Sequence, residues 1–218
     1  VDIKTEQFPK IFAGQYGAEI SALMVKRADI VHSSFWGGDA EAFILQSAAR
    51  GLLEDNLVLL TTGETTVANL AEHLTDGMII GARGPFGFYA PESELNDWFV
   101  SEYTKRFGSA PTFPAYHMAQ ALIGLKLATD KAGVGASDEE VIKAFEYLEF
   151  EGPGGLVQMN RGKGHQGATE TVYGQVKNVD GEITFVNIRR YAADCVNPPD
   201  GAVAIDWINA GMPGAVCD

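Results

Sequence analysis

The sequence predicts an α/β protein with parallel sheets flanked by helices, and three observations lead to this fold class. In the first part of the chain, segments with apolar residues at helical spacing alternate with short β-rich runs, which is typical of parallel βαβ units. Two breaks rich in glycine and proline, GPFGFYAPE and EGPGGLVQM, bracket a block of helical patterns. The chain of 218 residues is 46% hydrophobic, which is enough to build a sizeable core.

The elements of the alternating part follow one another without long loops. The segment YGAEISALMVKRA predicts a helix and DIVHSSF a strand. DAEAFILQSAARG predicts a helix from Ala40 with Asp39 as its N-cap, and NLVLLTT a buried strand. A helix near residues 65–74 and the strand GMIIGAR complete the series. This order predicts neighbouring parallel strands.

The helical block between the two breaks contains further predicted helices, over residues 93–107, 114–132 and 137–148. The last begins with a capping box, in which Ser137 and Glu140 occupy the N-cap and N3 positions. Two β-type runs around Asp180 and Gly181 then predict a hairpin. Because the block separates sheet-forming segments, we expect two lobes joined by crossovers, with a ligand cleft between them.

The charge balance limits the kinds of molecule that the protein is expected to bind. There are 16 basic and 29 acidic residues, and no cluster of lysine and arginine is present to neutralise phosphates. The sequence therefore predicts no nucleic-acid partner. No apolar run approaches the ~20 residues of a membrane span, and the N-terminus does not resemble a signal peptide. We expect a soluble protein from which any export signal has been removed.

Both cysteines, Cys195 and Cys217, lie in a tail rich in proline and glycine. A disulfide that closes this tail would stabilise the protein by about 3 kcal/mol and indicate an oxidising compartment. The alternative is a pair of free thiols in a cytosolic protein.

Motifs of catalysis and of metal or cofactor binding are absent from the sequence. It contains no G-x-S-x-G, no H-E-x-x-H and no phosphate loop, and its histidines lack the spacing of metal ligands. We therefore predict no catalytic residue, no metal and no cofactor. Glu64 and Asp39, after neighbouring strands, form the one candidate acid/base pair, an arrangement that suits cation binding equally well.

Three segments carry a resemblance to a known family. They are ADIVHSSFWGGDAEAFILQSAARGL, FVSEYTKRFGSAPTFPAYHMAQALIGLKLATDKAG and VIKAFEYLEFEGPGGLVQMNRGKGHQGATETVYGQV. The chain resembles the type I periplasmic solute-binding proteins of ABC transporters, and most closely the Leu/Ile/Val-binding-like group. The matching positions are Phe99, Tyr103, Phe107, Gly108 and Pro111 before a long helix, and Arg161, His165 and Gln166 near the hairpin.

The resemblance implies a two-lobed fold that closes on a small solute and delivers it to a membrane permease, outside the cytoplasm in the periplasm or on a lipid anchor. Residues 1–83 and 152–194 would form the C-terminal lobe, and residues 84–151 part of the N-terminal lobe. Residues 195–218 would be the disulfide-closed tail. Because the family is longer, the first lobe is incomplete here, and the missing N-terminal part of the same protein is an expected partner.

The resemblance also implies a ligand site at the strand ends. Trp36 falls where amino-acid binders carry a cleft aromatic, and Gly37, Gly38 and Asp39 follow it. The glycine pair would allow close approach of a ligand. The alternative is a purely structural role, in which Trp36 covers the edge of the core.

The acidic partner of a ligand ammonium is expected within Thr62, Gly63 and Glu64. Glu64 is the candidate, although a carboxylate is also favoured in the first turn of a helix. Phe86 and Tyr89 are expected to line the pocket from the crossover, or else to pack between the lobes.

The sequence leaves three hypotheses about the function open. The leading one is a receptor for a small solute, either an amino acid of the branched-chain or a similar type, or an aromatic carboxylate. The second is a cytoplasmic small-molecule sensor on the same fold. The third is an enzyme, such as a hydrolase that uses Glu64 or Asp39.

Overall fold

The computed structural model describes residues 2–159, 166–180, 182–199 and 201–217. The strands are β1 (Ile30–Ser33), β2 (Leu57–Leu60), β3 (Ile79–Ala82), β4 (Glu149–Gly152), β5 (Gly155–Met159), β6 (Gly167–Ala168), β7 (Thr171–Val179) and β8 (Glu182–Tyr191). The α-helices are α1 (Gly17–Lys26), α2 (Gly37–Ala48), α3 (Leu52–Asp55), α4 (Val67–Leu70), α5 (Glu94–Phe107), α6 (Phe113–Ala132), α7 (Asp138–Phe145), α8 (Ala193–Val196) and α9 (Ala204–Asn209).

These elements form two compact units. Unit 1 comprises the described residues of Val1–Ala82 and Tyr173–Arg189, and unit 2 those of Arg83–Val172 and Arg190–Asp218. The assignment of chain segments to the lobes of a complete protein stays a prediction.

Unit 1 is built on a sheet of order β1-β2-β3-β7-β8. β1 runs parallel to β2 with Ile30 opposite Leu57, and β2 runs parallel to β3 with Leu59 opposite Ile79. β7 and β8, the two runs on either side of Asp180, are neighbours at the far side of the sheet. The predicted parallel strands are therefore confirmed.

One face of this sheet carries the core of unit 1. Side chains from α1, α2, α3 and the strands meet there in a single cluster, whose fully buried members include Tyr16, Ile20, Ile44, Leu52, Val58 and Ile80. Alternation along β1 explains the pattern, because Val31 points into the cluster whereas Ile30 and His32 point away from it. The same core holds the carboxyl ends of the strands in register.

The predicted start of α2 is wrong. The helix begins at Gly37, with Trp36 at the N-cap position in an extended conformation, and Asp39 lies in the first turn. Asp39 does not cap its own helix because its carboxylate accepts hydrogen bonds from Phe12 and Tyr16 instead.

The helix expected near residues 65–74 is also interrupted. A 3₁₀ turn (Gly63–Thr65), α4 and a second 3₁₀ turn (Ala71–His73) replace it. Thr66 contributes to this break, because its buried hydroxyl donates a hydrogen bond to the carbonyl of Gly63 at 2.7 Å. Such side-chain bonds compete with regular helical ones.

Unit 2 contains the helices predicted for the middle of the chain. Ser93 caps α5 by accepting a hydrogen bond from the Asn96 amide, and α6 begins next to Pro114. The capping box of Ser137 and Glu140 is present at the start of α7, with both of its hydrogen bonds. Local sequence signals thus located the starts of all three helices to within a residue or so.

A small antiparallel sheet of order β4-β5-β6 accompanies these helices. Gly152 lies opposite Gly155, so the second glycine-rich break is the turn of a hairpin rather than a crossover. α6 contacts α7 and β4. Gly124 permits this approach, because a Cβ atom there would lie 2.9 Å from the ring of Phe150.

The tail of unit 2 is closed by a disulfide between Cys195 and Cys217, whose Cα atoms are 4.9 Å apart. Trp207 of α9, which lies within this loop, is buried, and its indole N–H donates to the carbonyl of Pro213 at 3.0 Å. Arg161 and His165, two of the residues that carried the family resemblance, lie outside the described residues. Within the described ranges, no helix is long and apolar enough to span a membrane.

Candidate functional site

The carboxyl ends of β1 and β2 lie side by side in unit 1. The amide of Thr61 donates to the carbonyl of Ser33 at 3.0 Å. The hydroxyl of Thr62 donates to the carbonyl of Phe35 at 2.7 Å. The turn that carries Trp36 is therefore fixed against the turn that carries Thr62, Gly63 and Glu64. In open α/β sheets, ligands bind at this edge.

Trp36 combines an anchored backbone with an accessible side chain. It stands between β1 and α2, and 53% of its surface is exposed. Gly37 has φ of +55°, a left-handed conformation that favours glycine, and no atom lies within 4 Å of a Cβ added at Gly38. The indole is thus an accessible aromatic surface, and the backbone that follows it has open space at Gly38.

The second turn places a carboxylate near that surface. Gly63 is required by packing, because a Cβ atom there would lie 2.8 Å from Cβ of Leu60. This tight turn sets the position of Glu64, whose side chain is half-buried in the 3₁₀ turn. A ligand that reaches Glu64 would meet a carboxylate on a backbone with little freedom.

The carboxylate of Asp39 accepts two hydrogen bonds from the segment that precedes α1. Its Oδ2 accepts from the Phe12 amide at 2.9 Å and its Oδ1 from the Tyr16 hydroxyl at 2.6 Å. Burial raises the pKa of the Tyr16 phenol, and the hydrogen bond to Asp39 raises it further. Gln46 continues the arrangement by accepting from the Tyr16 amide at 2.8 Å. Asp39 thus tethers the N-terminal segment to α2, and its ligand role stays a prediction.

Phe86 and Tyr89 lie in unit 2, where their side chains are 2% and 0% exposed. The ring of Phe86 stacks on Tyr116 with centroids 5.1 Å apart. The guanidinium of Arg190 donates to the carbonyl of Tyr89 at 2.8 Å and also pairs with Glu170. Both aromatics therefore contribute to the core of unit 2, and their role in lining a pocket stays a prediction.

Sequence reasoning missed two polar side chains near the strand ends. The ring of Tyr173, at the start of β7, covers Gly81 so closely that a Cβ atom there would lie 2.5 Å from it. His32 Nε2 lies 2.6 Å from the hydroxyl of Thr61. A glycine inside a strand signals such a close approach, but it does not name the partner.

Unit 2 contains a concave surface of its own. It is a cavity of about 460 Å³ between the β4–β5 hairpin and the disulfide-closed tail, with Tyr147, Glu149, Asp194 and Trp207 in its lining. Nowhere in the described part of the chain do three or more histidine, cysteine or acidic side chains form a group that could hold a metal ion.

A parallel sheet flanked by helices is typical of α/β proteins that bind ligands at the carboxyl ends of the strands. The chain belongs to the periplasmic binding protein family, whose sequence profile matches residues 2–182. This match confirms the family resemblance deduced from the sequence. No curated protein sequence matches the chain.

Solved structures show the same fold. A solute-binding protein of an ABC transporter from Rhodopseudomonas palustris BisB5, in complex with 3,4-dihydroxybenzoic acid, has 21% identity and a TM-score of 0.70 over 82% of this chain and 49% of its own. A branched-chain amino acid transporter protein from Rhodopseudomonas palustris CGA009 has 19% identity and a TM-score of 0.69, over 92% and 54%.

A leucine-binding protein from Thermotoga maritima has 16% identity and a TM-score of 0.65, over 84% of this chain and 50% of its own. The type I periplasmic-binding-protein fold is therefore confirmed. The chain spans about half the length of the solved structures that it matches.

Proposed function

We propose that the chain is part of the extracytoplasmic solute-binding component of an ABC importer. The complete protein binds a small solute in a cleft between two lobes, closes by a hinge motion and delivers the solute to a membrane permease. The chain belongs to the periplasmic binding protein family, and within it one observation supports this proposal. That observation is the hydrogen bond from the hydroxyl of Thr62 to the carbonyl of Phe35. It brings an exposed tryptophan and a half-buried carboxylate to one edge of the sheet.

The chemistry of these two side chains defines two solute classes. The indole of Trp36 offers an apolar face to an aliphatic chain or an aromatic ring. The carboxylate of Glu64 attracts an ammonium and repels another carboxylate at close range. An amino acid uses both groups, whereas an aromatic carboxylate uses Trp36 and keeps its own charge away from Glu64. Similar proteins are described with solutes of each class.

Calorimetric titration of the full-length protein with leucine and with 4-hydroxybenzoate tests the site. Trp36→Ala should weaken binding of the solute by at least ~1 kcal/mol, about fivefold in Kd. The matched control is Trp98→Ala, which removes another exposed tryptophan on α5 and should leave Kd unchanged. Equal affinity of Trp36→Ala and the parent protein would remove Trp36 from the site.

Glu64→Gln separates the two solute classes. If the solute is an amino acid, loss of the charged hydrogen bond should raise Kd by about 10- to 100-fold, corresponding to 1.5–3 kcal/mol. An aromatic carboxylate should bind Glu64→Gln equally well or more tightly. Glu54→Gln, at an exposed glutamate of α3, is the control for a general loss of charge.

The disulfide supports the extracytoplasmic location over a cytoplasmic sensor, because such bonds persist in oxidising compartments. Free thiols at Cys195 and Cys217 in protein from the native host would contradict this part of the proposal.

We also propose that the protein is not an enzyme, since its family consists of binding proteins. Recovery of the bound solute chemically unchanged is the expected result, and turnover lost in Glu64→Gln would overturn it.

A further inference from the structure

Tyr16 contacts both flanks of the turn that carries Trp36. Its ring lies 4.8 Å, centroid to centroid, from the ring of Phe35, the residue before Trp36. Its hydroxyl donates to Oδ1 of Asp39, three residues after Trp36, at 2.6 Å. Because Tyr16 is fully buried, its hydroxyl needs an acceptor within the protein, and Asp39 supplies it. One side chain therefore brackets the stretch from Phe35 to Asp39.

Interactions within this turn hold it only weakly. Gly37 and Gly38 follow Trp36 directly, and glycine leaves the backbone more freedom than any other residue. A Cβ atom added at either glycine would meet no atom within 4 Å. The first hydrogen bond of α2, from the Ala40 amide to the Trp36 carbonyl, is long at 3.5 Å. The position of Trp36 therefore depends on contacts made from outside the turn.

Tyr16 is itself fixed to the far end of α2. Its amide donates to Oε1 of Gln46 at 2.8 Å, and Nε2 of Gln46 donates to the carbonyl of Gly14 at 3.0 Å. Gln46 lies in the last turn of α2, whereas Asp39 lies in the first. The segment that precedes α1 is thereby attached at both ends of α2, and this attachment places the ring of Tyr16 against Phe35.

We propose that Tyr16 is a positioning residue of the solute site, which holds the backbone of Trp36 where the indole contacts the solute and does not touch the solute itself. It acts from the core through Phe35 and Asp39, while the hydroxyl of Thr62 holds the same turn from the side of β2. The effect on affinity rests on the proposed function, whereas the ordering of Trp36 by Tyr16 requires no ligand.

Fluorine NMR of the full-length protein labelled with fluorotryptophan tests this ordering without a ligand. The resonance of Trp36 is identified by its absence in Trp36→Phe. Tyr16→Phe keeps the ring and removes only the hydrogen bond to Asp39, and in this variant the Trp36 resonance should shift or broaden. The resonances of Trp98 on α5 and Trp207 on α9 should not change. An unchanged Trp36 resonance would overturn the proposal, and so would an equal change at Trp98 and Trp207, which indicates a general loss of structure.

Tyr116→Phe is the matched control for the loss of a buried hydroxyl. Tyr116 is also fully buried, and its hydroxyl donates to Oδ1 of Asn96 in unit 2 at 2.9 Å. Tyr116→Phe and Tyr16→Phe should lower Tm to a similar extent, but only Tyr16→Phe should change the Trp36 resonance. A Trp36 resonance that responds equally to both substitutions would contradict a positioning role, because any loss of stability would then have the same effect.

A double-mutant cycle connects this ordering to the solute. Whichever of leucine and 4-hydroxybenzoate binds the parent protein should bind Tyr16→Phe with a Kd about 2- to 10-fold higher, the effect of one lost hydrogen bond. In the Trp36→Ala background, Tyr16→Phe should not change Kd further. An equal rise of Kd in both backgrounds would refute the proposal, because Tyr16 then acts independently of Trp36.

The two measurements separate a failure of this inference from a failure of the proposed site. If Trp36→Ala raises Kd and Tyr16→Phe leaves it unchanged, Tyr16 is not a positioning residue. If Trp36→Ala leaves Kd unchanged, the proposed solute site is wrong and the positioning role falls with it. The fluorine spectra then still report whether Tyr16 orders the turn of Trp36.

Discussion

Unit 1 and unit 2 bury their apolar residues in different ways. In unit 1, helices and parallel strands share one continuous core, in which Tyr16, Ile44 and Ile80 are fully buried. In unit 2, the long helix α6 buries one side, yet Met118 and Leu122 are exposed on it. A helix that is apolar on both sides is normally covered on both. The contrast shows that unit 1 is complete on one face of its sheet, whereas unit 2 provides cover for only part of its main helix.

The largest expected effect is in the core of unit 1. Leu52→Ala in the full-length protein should lower the free energy of unfolding by about 2–5 kcal/mol, because Leu52 is fully buried and its removal leaves a cavity. Denaturant unfolding, followed by circular dichroism, measures this loss. Leu45→Ala, at an exposed leucine of α2, is the control and should change stability by less than ~1 kcal/mol. Equal losses would mean that the core of unit 1 is not as continuous as described.

The second largest effect on stability is expected in unit 2. Its tail is stabilised by a disulfide, whereas unit 1 is stabilised by the packing of its core. Replacing both cysteines by serine should lower the free energy of unfolding by about 3 kcal/mol, because the unfolded tail gains freedom when its loop is opened. Unfolding of the oxidised parent and of the double variant gives the difference. Reductant should destabilise the parent and leave the double variant unchanged, and a parent insensitive to reductant would contradict the role of the bond.

A smaller effect is expected at the start of α7. Ser137→Ala removes the side-chain half of the capping box and should cost about 1 kcal/mol. Ser101→Ala on the exposed surface of α5 is the matched control, and it should be neutral or slightly stabilising because alanine favours helix. If both variants unfold at the same denaturant concentration, the capping box contributes nothing measurable to unit 2.

The smallest effect returns to unit 1 and depends on pH. The amide of Asn178 and the ammonium of Lys177 lower the pKa of Asp76 below its ordinary value of 3.8. A depressed folded-state pKa contributes stability above the unfolded-state value, and that contribution is lost as the pH falls through the folded-state value. Asp76→Asn should therefore flatten the decline of Tm on acidification below about pH 4. Asp55→Asn is the control, and an unchanged acid profile in Asp76→Asn would refute the link to β7.

The sequence was most informative where the determining contacts are local. The capping box at Ser137, the alternation of helices and strands and the turn at Asp180 depend on residues a few positions apart. The start of α2 was misjudged because the partner of Asp39 is Tyr16, which lies 23 residues away in the chain. The contact of Tyr173 with Gly81 was missed because these residues are also far apart in the chain. Gly81 lies in β3 and Tyr173 in β7, and no sequence periodicity links two strands that are separated by most of unit 2.

The candidate site shows the same limit. The order of residues in the chain placed Trp36 and Glu64 after strands, and parallel pairing then brought the two turns together. Burial of Phe86 within unit 2 involves Tyr116 and Gly154, which lie far along the chain, and composition alone does not reveal these contacts.

The disulfide-closed tail has a practical consequence. No lysine or arginine follows Arg190 in the sequence, so trypsin releases a peptide that begins at Tyr191 and contains both Cys195 and Cys217. The bond therefore lies within one tryptic fragment rather than between two. Its formation changes the mass of that fragment by two hydrogen atoms without changing the number of fragments, and a single digest of unreduced protein reports the redox state of the tail.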